Sequence, residues 1–149
     1  MKRIAIVLCL LVTAACSKRQ TVAMTPSQAD APISMSANWI KPRGKRVDLQ
    51  VTIANKSEKS VEIQPQDFQC FRDAEMGTLT HKFDNPPHYG SVRLAPSQSR
   101  TELVICNFPT AGNGVYSLKV AKLYESRDDG ENGTKKLAEK LSWTFAPAK

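Results

Sequence analysis

The stretch RVDLQVTIANKSEKSVEI, residues 46–63, decides the fold class. Val47, Leu49, Val51 and Ile53 fall on every second position, and Asp48, Gln50 and Thr52 fill the places between. A period of two puts the aliphatic side chains on one face of a strand and the polar ones on the other, as in a sheet with one dry and one wet face. Residues 55–59 (NKSEK) then read as a polar turn. Val61 and Ile63 resume the alternation, so the stretch predicts a hairpin.

The same signals recur outward from this stretch. Upstream, 33–40 (ISMSANWI) predicts a first strand ending near Trp39, and 41–45 (KPRGK) a turn marked by Pro42 and Gly44. Downstream, Pro65-Gln66-Asp67 interrupts the pairing before a strand at 68–72, where Phe68 and Cys70 share a face. Residues 73–87, with Gly77, Asn85, Pro86 and Pro87, read as a long irregular surface excursion, the kind of segment on which function concentrates. A short strand at 89–94, a turn at 95–99 and a strand at 101–108 follow. Val104, Cys106 and Phe108 lie on one side of that last strand and Leu103 and Ile105 on the other, so it is expected to be central and covered on both faces. Residues 115–124 alternate again, with Tyr116, Leu118 and Val120 inward. A hairpin tip at 126–133 leads to a closing strand at 135–145 carrying Leu137, Leu141, Trp143 and Phe145, although 137–141 (LAEKL) also fits a helical turn. About seven to nine short strands joined by Gly, Pro and Asn turns predict an all-β, antiparallel β-sandwich, with a small barrel as the runner-up.

Residues 1–16, MKRIAIVLCLLVTAAC, follow a different logic. Lys2 and Arg3 precede an apolar run at 4–12, then the small residues Thr13, Ala14 and Ala15, then Cys16. The run is too short to span a bilayer and has the three-part form of a secretory signal. With Cys at the first mature position, the segment resembles the signal of bacterial lipoproteins. It departs from their pattern mildly, with Thr13 where Leu, Val or Ile is usual. The resemblance implies removal of 1–15 and lipid attachment at Cys16, with two or three acyl chains that each contribute roughly 0.8 kcal/mol per buried methylene. The chain then divides into a signal peptide (1–15), a lipidated N-terminus and flexible tether (16–32) and the β-sandwich (33–149). The expected address is the cell envelope, anchored in a membrane. Ser17, where an inner-membrane lipoprotein often carries Asp, favours the periplasmic face of the outer membrane if the cell is Gram-negative.

Export changes the reading of the cysteines. Cys9 leaves with the signal and Cys16 takes lipid, so Cys70 and Cys106 remain, 36 residues apart. An even pair in an oxidising compartment reads as a disulfide, whose loop closure is worth roughly 4 kcal/mol. The rival is a zinc set of these two with His81 and His88, for which neither CxxC nor HxxxH spacing is present. Of 21 cations and 14 acids, Lys2 and Arg3 depart with the signal, which leaves a net +5 without a run of five like charges. A diffuse positive field suits an anionic surface component. Nucleic acid is not expected as a partner, because no basic-and-aromatic motif appears.

No reaction is written in the residues. His81 and His88 are the only imidazoles, and Ser91, Ser97, Ser99, Asp73 and Asp84 lie near them in sequence. No nucleophile elbow surrounds any of these serines. Residues 128–133 (DDGENG) lack the spacing of a calcium loop and read as a hairpin tip. The chain is therefore expected not to be an enzyme and to need no cofactor.

The phrases VDLQVTIANKSEKSVEIQPQDFQCFRD (47–73), LAPSQSRTELVICNFP (94–109) and GVYSLKV (114–120) resemble the immunoglobulin-like accessory domains of unknown function found on bacterial lipoproteins. The resemblance covers 47–120 and implies an immunoglobulin-like sandwich. Its motifs describe turns rather than an active site. Related domains of the same type are proteinase inhibitors, but no inhibitory loop is identifiable here by residue type. The expected function is a tethered, non-catalytic binding or assembly module that contacts an envelope protein or anionic surface component through 73–89, with Asp73, His81, His88 and Tyr89 as the possible binding loop. The alternatives are a structural or inhibitor-like accessory domain and, third, a metal-binding or hydrolytic protein using the two histidines.

Overall fold

The computed structural model describes residues 22–82 and 90–146. Among these, ten antiparallel strands join in one sheet that folds back on itself and nearly closes. The all-β expectation holds. The strand number exceeds the seven to nine expected, because two strands carry no alternation that a sequence reading would catch.

Strand β2 (Ile33–Arg43) and strand β3 (Arg46–Asn55) form a hairpin turned by Gly44, whose φ of 60° suits a residue without Cβ. β2 runs through the first three residues of the turn expected at 41–45, since Lys41, Pro42 and Arg43 pair with Asp48, Val47 and Arg46. Pro42 is tolerated because β2 is an edge strand. Between Ala37 and Trp39 the register steps by one extra residue, a bulge at Asn38, which is why ISMSANWI alternates only over its first half. The short edge strand β1 (Thr25–Pro26) lies against β10 (Lys136–Phe145) on the other side of the molecule.

The hairpin expected from 46–63 does not form. β4 (Val61–Ile63) pairs with β7 (Val92–Leu94) and β9 (Tyr116–Glu125), while both edges of β3 are taken by β2 and β8 (Ser99–Asn107). Alternation specifies which face of a strand is dry, and it does not name the partner. The Asn55–Lys59 turn therefore crosses from one half of the sheet to the other. A single 3-10 turn, Pro65–Asp67, interrupts the chain before β5 (Phe68–Arg72) resumes along β9. β8 is central as expected, with β3 on one side and β6 on the other.

The expected excursion beginning at Asp73 is corrected over its described part. Asp73 and Ala74 make a tight turn, and β6 (Glu75–Lys82) follows at once. Its first three residues pair with β5, ending at Cys70 opposite Gly77. From Thr78 onward it pairs instead with β8, beginning opposite Asn107. β6 thus belongs to both halves, β2-β3-β8-β6 and β1-β10-β9-β5-β6. Its inward positions are Gly77 and Leu79 while Met76 points out, so the hydrophobic pattern of a strand is absent. The LAEKL segment is strand, not helix. Its alternation is broken by a register shift between Lys136 and Ala138 and by Lys140 at φ 56°.

The two halves enclose one core. Val47, Leu49, Val51 and Ile53 are at most 1% exposed, as are Leu118, Val120, Leu123 and Leu141 from the other half. Each such side chain contributes about 1.5–3 kcal/mol on burial. Tyr116 closes one end, with its ring 5.7 Å from Phe145 and 5.9 Å from Phe108. Among the described residues no helix is long and apolar enough to cross a membrane.

Candidate functional site

Of the residues singled out by sequence, Cys16, His88 and Tyr89 lie outside the described residues. Asp73 and His81 are described but not brought together. Asp73 sits in the β5–β6 turn at φ 51°, a left-handed conformation that Asp tolerates. Its backbone N–H donates to the Val115 carbonyl at 2.7 Å, and its Oδ1 accepts from the Val115 N–H at 3.1 Å. His81 stands opposite Val104, at the far part of β6. At about 3.3 Å per residue of strand, the two belong to different ends of the molecule. Asp73 therefore acts as a tie between a turn and the 108–115 loop.

Arg72, next to Asp73, anchors the same junction and was missed by sequence reasoning. It is 5% exposed. Its guanidinium donates to the carbonyls of Gly112 (2.9 Å) and Thr110 (2.7 Å), to the Thr110 hydroxyl (2.9 Å) and to the Glu75 carboxylate. It also lies 4.7 Å from the centre of the Phe108 ring. Glu75 in turn accepts from the Thr110 N–H at 3.2 Å and the Thr110 hydroxyl at 2.9 Å. Desolvation works to raise the Glu75 pKa, but the Thr110 hydroxyl and the Arg72 guanidinium outweigh it and hold the carboxyl below its usual range. The buried Arg72 ties these groups to one another, which makes the cluster a clamp.

The opposite end carries a second polar cluster. Asn55, expected as a turn residue, is 3% exposed. Its Nδ2 lies within hydrogen-bonding distance of the carbonyls of Lys59, Ala95 and Leu94, at 2.7, 3.0 and 3.1 Å. Its Oδ1 accepts from the Ser57 N–H and hydroxyl at 2.9 and 2.8 Å. Glu62 is fully buried. Its Oε2 accepts from the Gly133 N–H at 2.9 Å and faces Arg93 Nε at 3.4 Å, while Oε1 has no hydrogen-bond partner among the described residues. These contacts dock the base of the 126–135 hairpin onto β4. At its tip Asp129 binds Arg127 and the Glu131 N–H, so a turn occupies the acids there.

The feature best placed to meet another molecule lies where β6 leaves β5 for β8. The β5–β6 ladder ends there at Cys70 opposite Gly77, and a groove of about 410 Å³ opens, lined by Pro65, Phe68, Gln69, Met76, Thr78 and Leu79. Met76 is 54% exposed beside it, an unusual degree for a large apolar side chain. A second groove of about 520 Å³ continues past Pro65 and Gln66 to Ser91, Arg93 and Asn132. The first groove offers amides, a hydroxyl and apolar surface, with no imidazole, thiol or carboxylate among its lining residues. Such a lining can bind, and its Thr78 hydroxyl has no imidazole or carboxylate beside it among the lining residues.

Cys70 and Cys106 come from β5 and β8 and meet in the core as thiols, 1% and 2% exposed. Burial pushes the Cys106 thiol well above the usual range, and the neighbouring Cys70 sulfur and Asp48 add to the rise. No three His, Cys, Asp or Glu side chains gather as a metal-binding set among the described residues. No family model, curated protein or solved structure matches this chain.

Proposed function

We propose that this protein is a membrane-tethered, non-catalytic binding or assembly module, built as an immunoglobulin-like sandwich, that docks an envelope protein on the groove beside Met76. The strand order β2-β3-β8-β6 with β5-β9-β10 supports the immunoglobulin-like topology, because it matches the A-B-E-D and C-F-G order of such domains, β6 serving as the strand after C. The lipoprotein-like signal at 1–16 supports the tether. The single observation that carries the binding reading is the groove itself. An exposed Met and a parted pair of strands leave apolar surface at the groove.

Two measurements test this reading. The intact mass of membrane-extracted protein is expected to correspond to an acylated chain beginning at Cys16; an unmodified chain in the soluble fraction would remove the tether. A photo-crosslinking residue at position 76, in the full chain in its own membrane, is expected to capture one envelope protein that the same residue at the exposed Thr101 does not. Equal capture at both positions, or none at 76, would overturn the docking face.

A further inference from the structure

Cys70 and Cys106 sit on strands separated by one other strand, β6. In a flat sheet that arrangement would hold their Cα atoms about 10 Å apart, beyond the reach of a disulfide. The fold of the sheet removes the obstacle. Cys70 points inward from the half that contains β9, paired with Leu118. Cys106 points inward from the half that contains β3, paired with Val47. Between them β6 passes at Gly77, where it exchanges β5 for β8. A Cβ on Gly77 would lie 3.1 Å from Cys70 Sγ and 2.9 Å from Phe108 Cε1. The absent side chain leaves room for the Cys70 sulfur, and the Cys70 and Cys106 thiols lie within interaction distance of each other.

We infer that Cys70 and Cys106 are the two halves of a disulfide that staples the strand exchange at Gly77, and that it closes before the core shuts around it. The oxidant is a small-molecule or protein disulfide of the export compartment. One cysteine thiolate attacks it, forming a mixed disulfide and releasing one thiol. The second thiolate displaces the other, so two electrons and two protons leave the pair and two thiols of the oxidant form. The order follows from burial. In the folded domain both sulfurs lie at or below 2% exposure, so neither meets an oxidant without local opening. The pairing does not depend on the docking reading, and the test supplies its own oxidant.

The full chain is refolded from denaturant in a buffer of oxidised and reduced glutathione, quenched with acid and digested with trypsin without reduction. The expected product is one cross-linked species joining residues 60–72 to residues 101–119, about 2 Da lighter than the two peptides together. Both peptides recovered separately as alkylated thiols would overturn the bridge. In the second arm, chain folded under reducing conditions is moved into the same buffer. Cross-linking is expected to be about tenfold slower or more, at the rate of core opening; equal rates would overturn the order of events.

Discussion

Arg72 and Glu62 flank the same strand at opposite ends: Arg72 pairs with Tyr116 where β9 begins, and Glu62 with Tyr124 near where it stops. Both are charged and buried, yet their surroundings differ. Arg72 has carbonyl, hydroxyl, carboxylate and aromatic partners on every side, from Thr110, Gly112, Glu75 and Phe108. Glu62 has one oxygen engaged by Gly133 and Arg93 and the other without a hydrogen-bond partner among the described residues. A buried charge contributes when its partners saturate it and costs when they do not. The difference separates an end of the molecule that is locked by its charge from one that tolerates it. The neutral Asn55, fully engaged by backbone, performs the locking at the Glu62 end.

This contrast can be broken experimentally. The largest effect is expected at Arg72. Arg72→Met keeps volume but removes the hydrogen bonds to two carbonyls, the Thr110 hydroxyl and the Glu75 carboxylate, and urea unfolding should show a loss of about 3 kcal/mol. A loss below about 1 kcal/mol would mean the clamp is ornamental. Asn55→Ala should come next, at about 2–3 kcal/mol, because three carbonyls that crowd its amide lose it together. Glu62→Gln should fall within about 1 kcal/mol of wild type. Its carbonyl can still accept from the Gly133 N–H, and the neutral side chain no longer needs Arg93. A loss comparable to that of Arg72→Met would erase the distinction between the two ends.

The smallest effect concerns pH. The Glu75 pKa is lowered in the folded state, so the stability it supplies is present above the ordinary carboxylate range and is lost as pH falls through the folded value. Glu125, held down by hydrogen bonds from Lys135 and Lys59, follows the same sign at the other end. Unfolding midpoints measured from pH 7 to pH 3 should fall less steeply in Glu75→Gln than in wild type. Parallel curves would show that the Arg72 end gains nothing from that ionisation.

Sequence reading succeeded where a residue's environment follows from its neighbours. β3 and β9 were legible because alternation of apolar and polar residues fixes a dry face, and β8 because its run of apolar residues marks a strand covered on both faces. It failed where the environment comes from far along the chain. Asn55 read as a turn residue and Arg72 was not singled out, because nothing near them shows that carbonyls from 110–112 and 94–95 will close over them. A faint signal existed at Asn55, since Asn-x-Ser is a side-chain turn motif. β6 was read as a loop because its inward residue is Gly77, which marks close approach rather than hydrophobicity. Gly77 and Met76, central to the groove, were missed for the same reason.

The sequence by itself determined an all-β chain, its dry faces, most of its turns and the two cysteines of its core. These are properties of a strand and its immediate neighbours, carried by a period of two. The tertiary structure alone decided that β4 pairs with β7 and β9 rather than β3, that β6 serves both halves of the sheet, and that Cys70 and Cys106 meet in one core. Those are choices of partner, and backbone hydrogen bonds are the same for every residue. The partner is set only when the whole set of dry faces closes on one core.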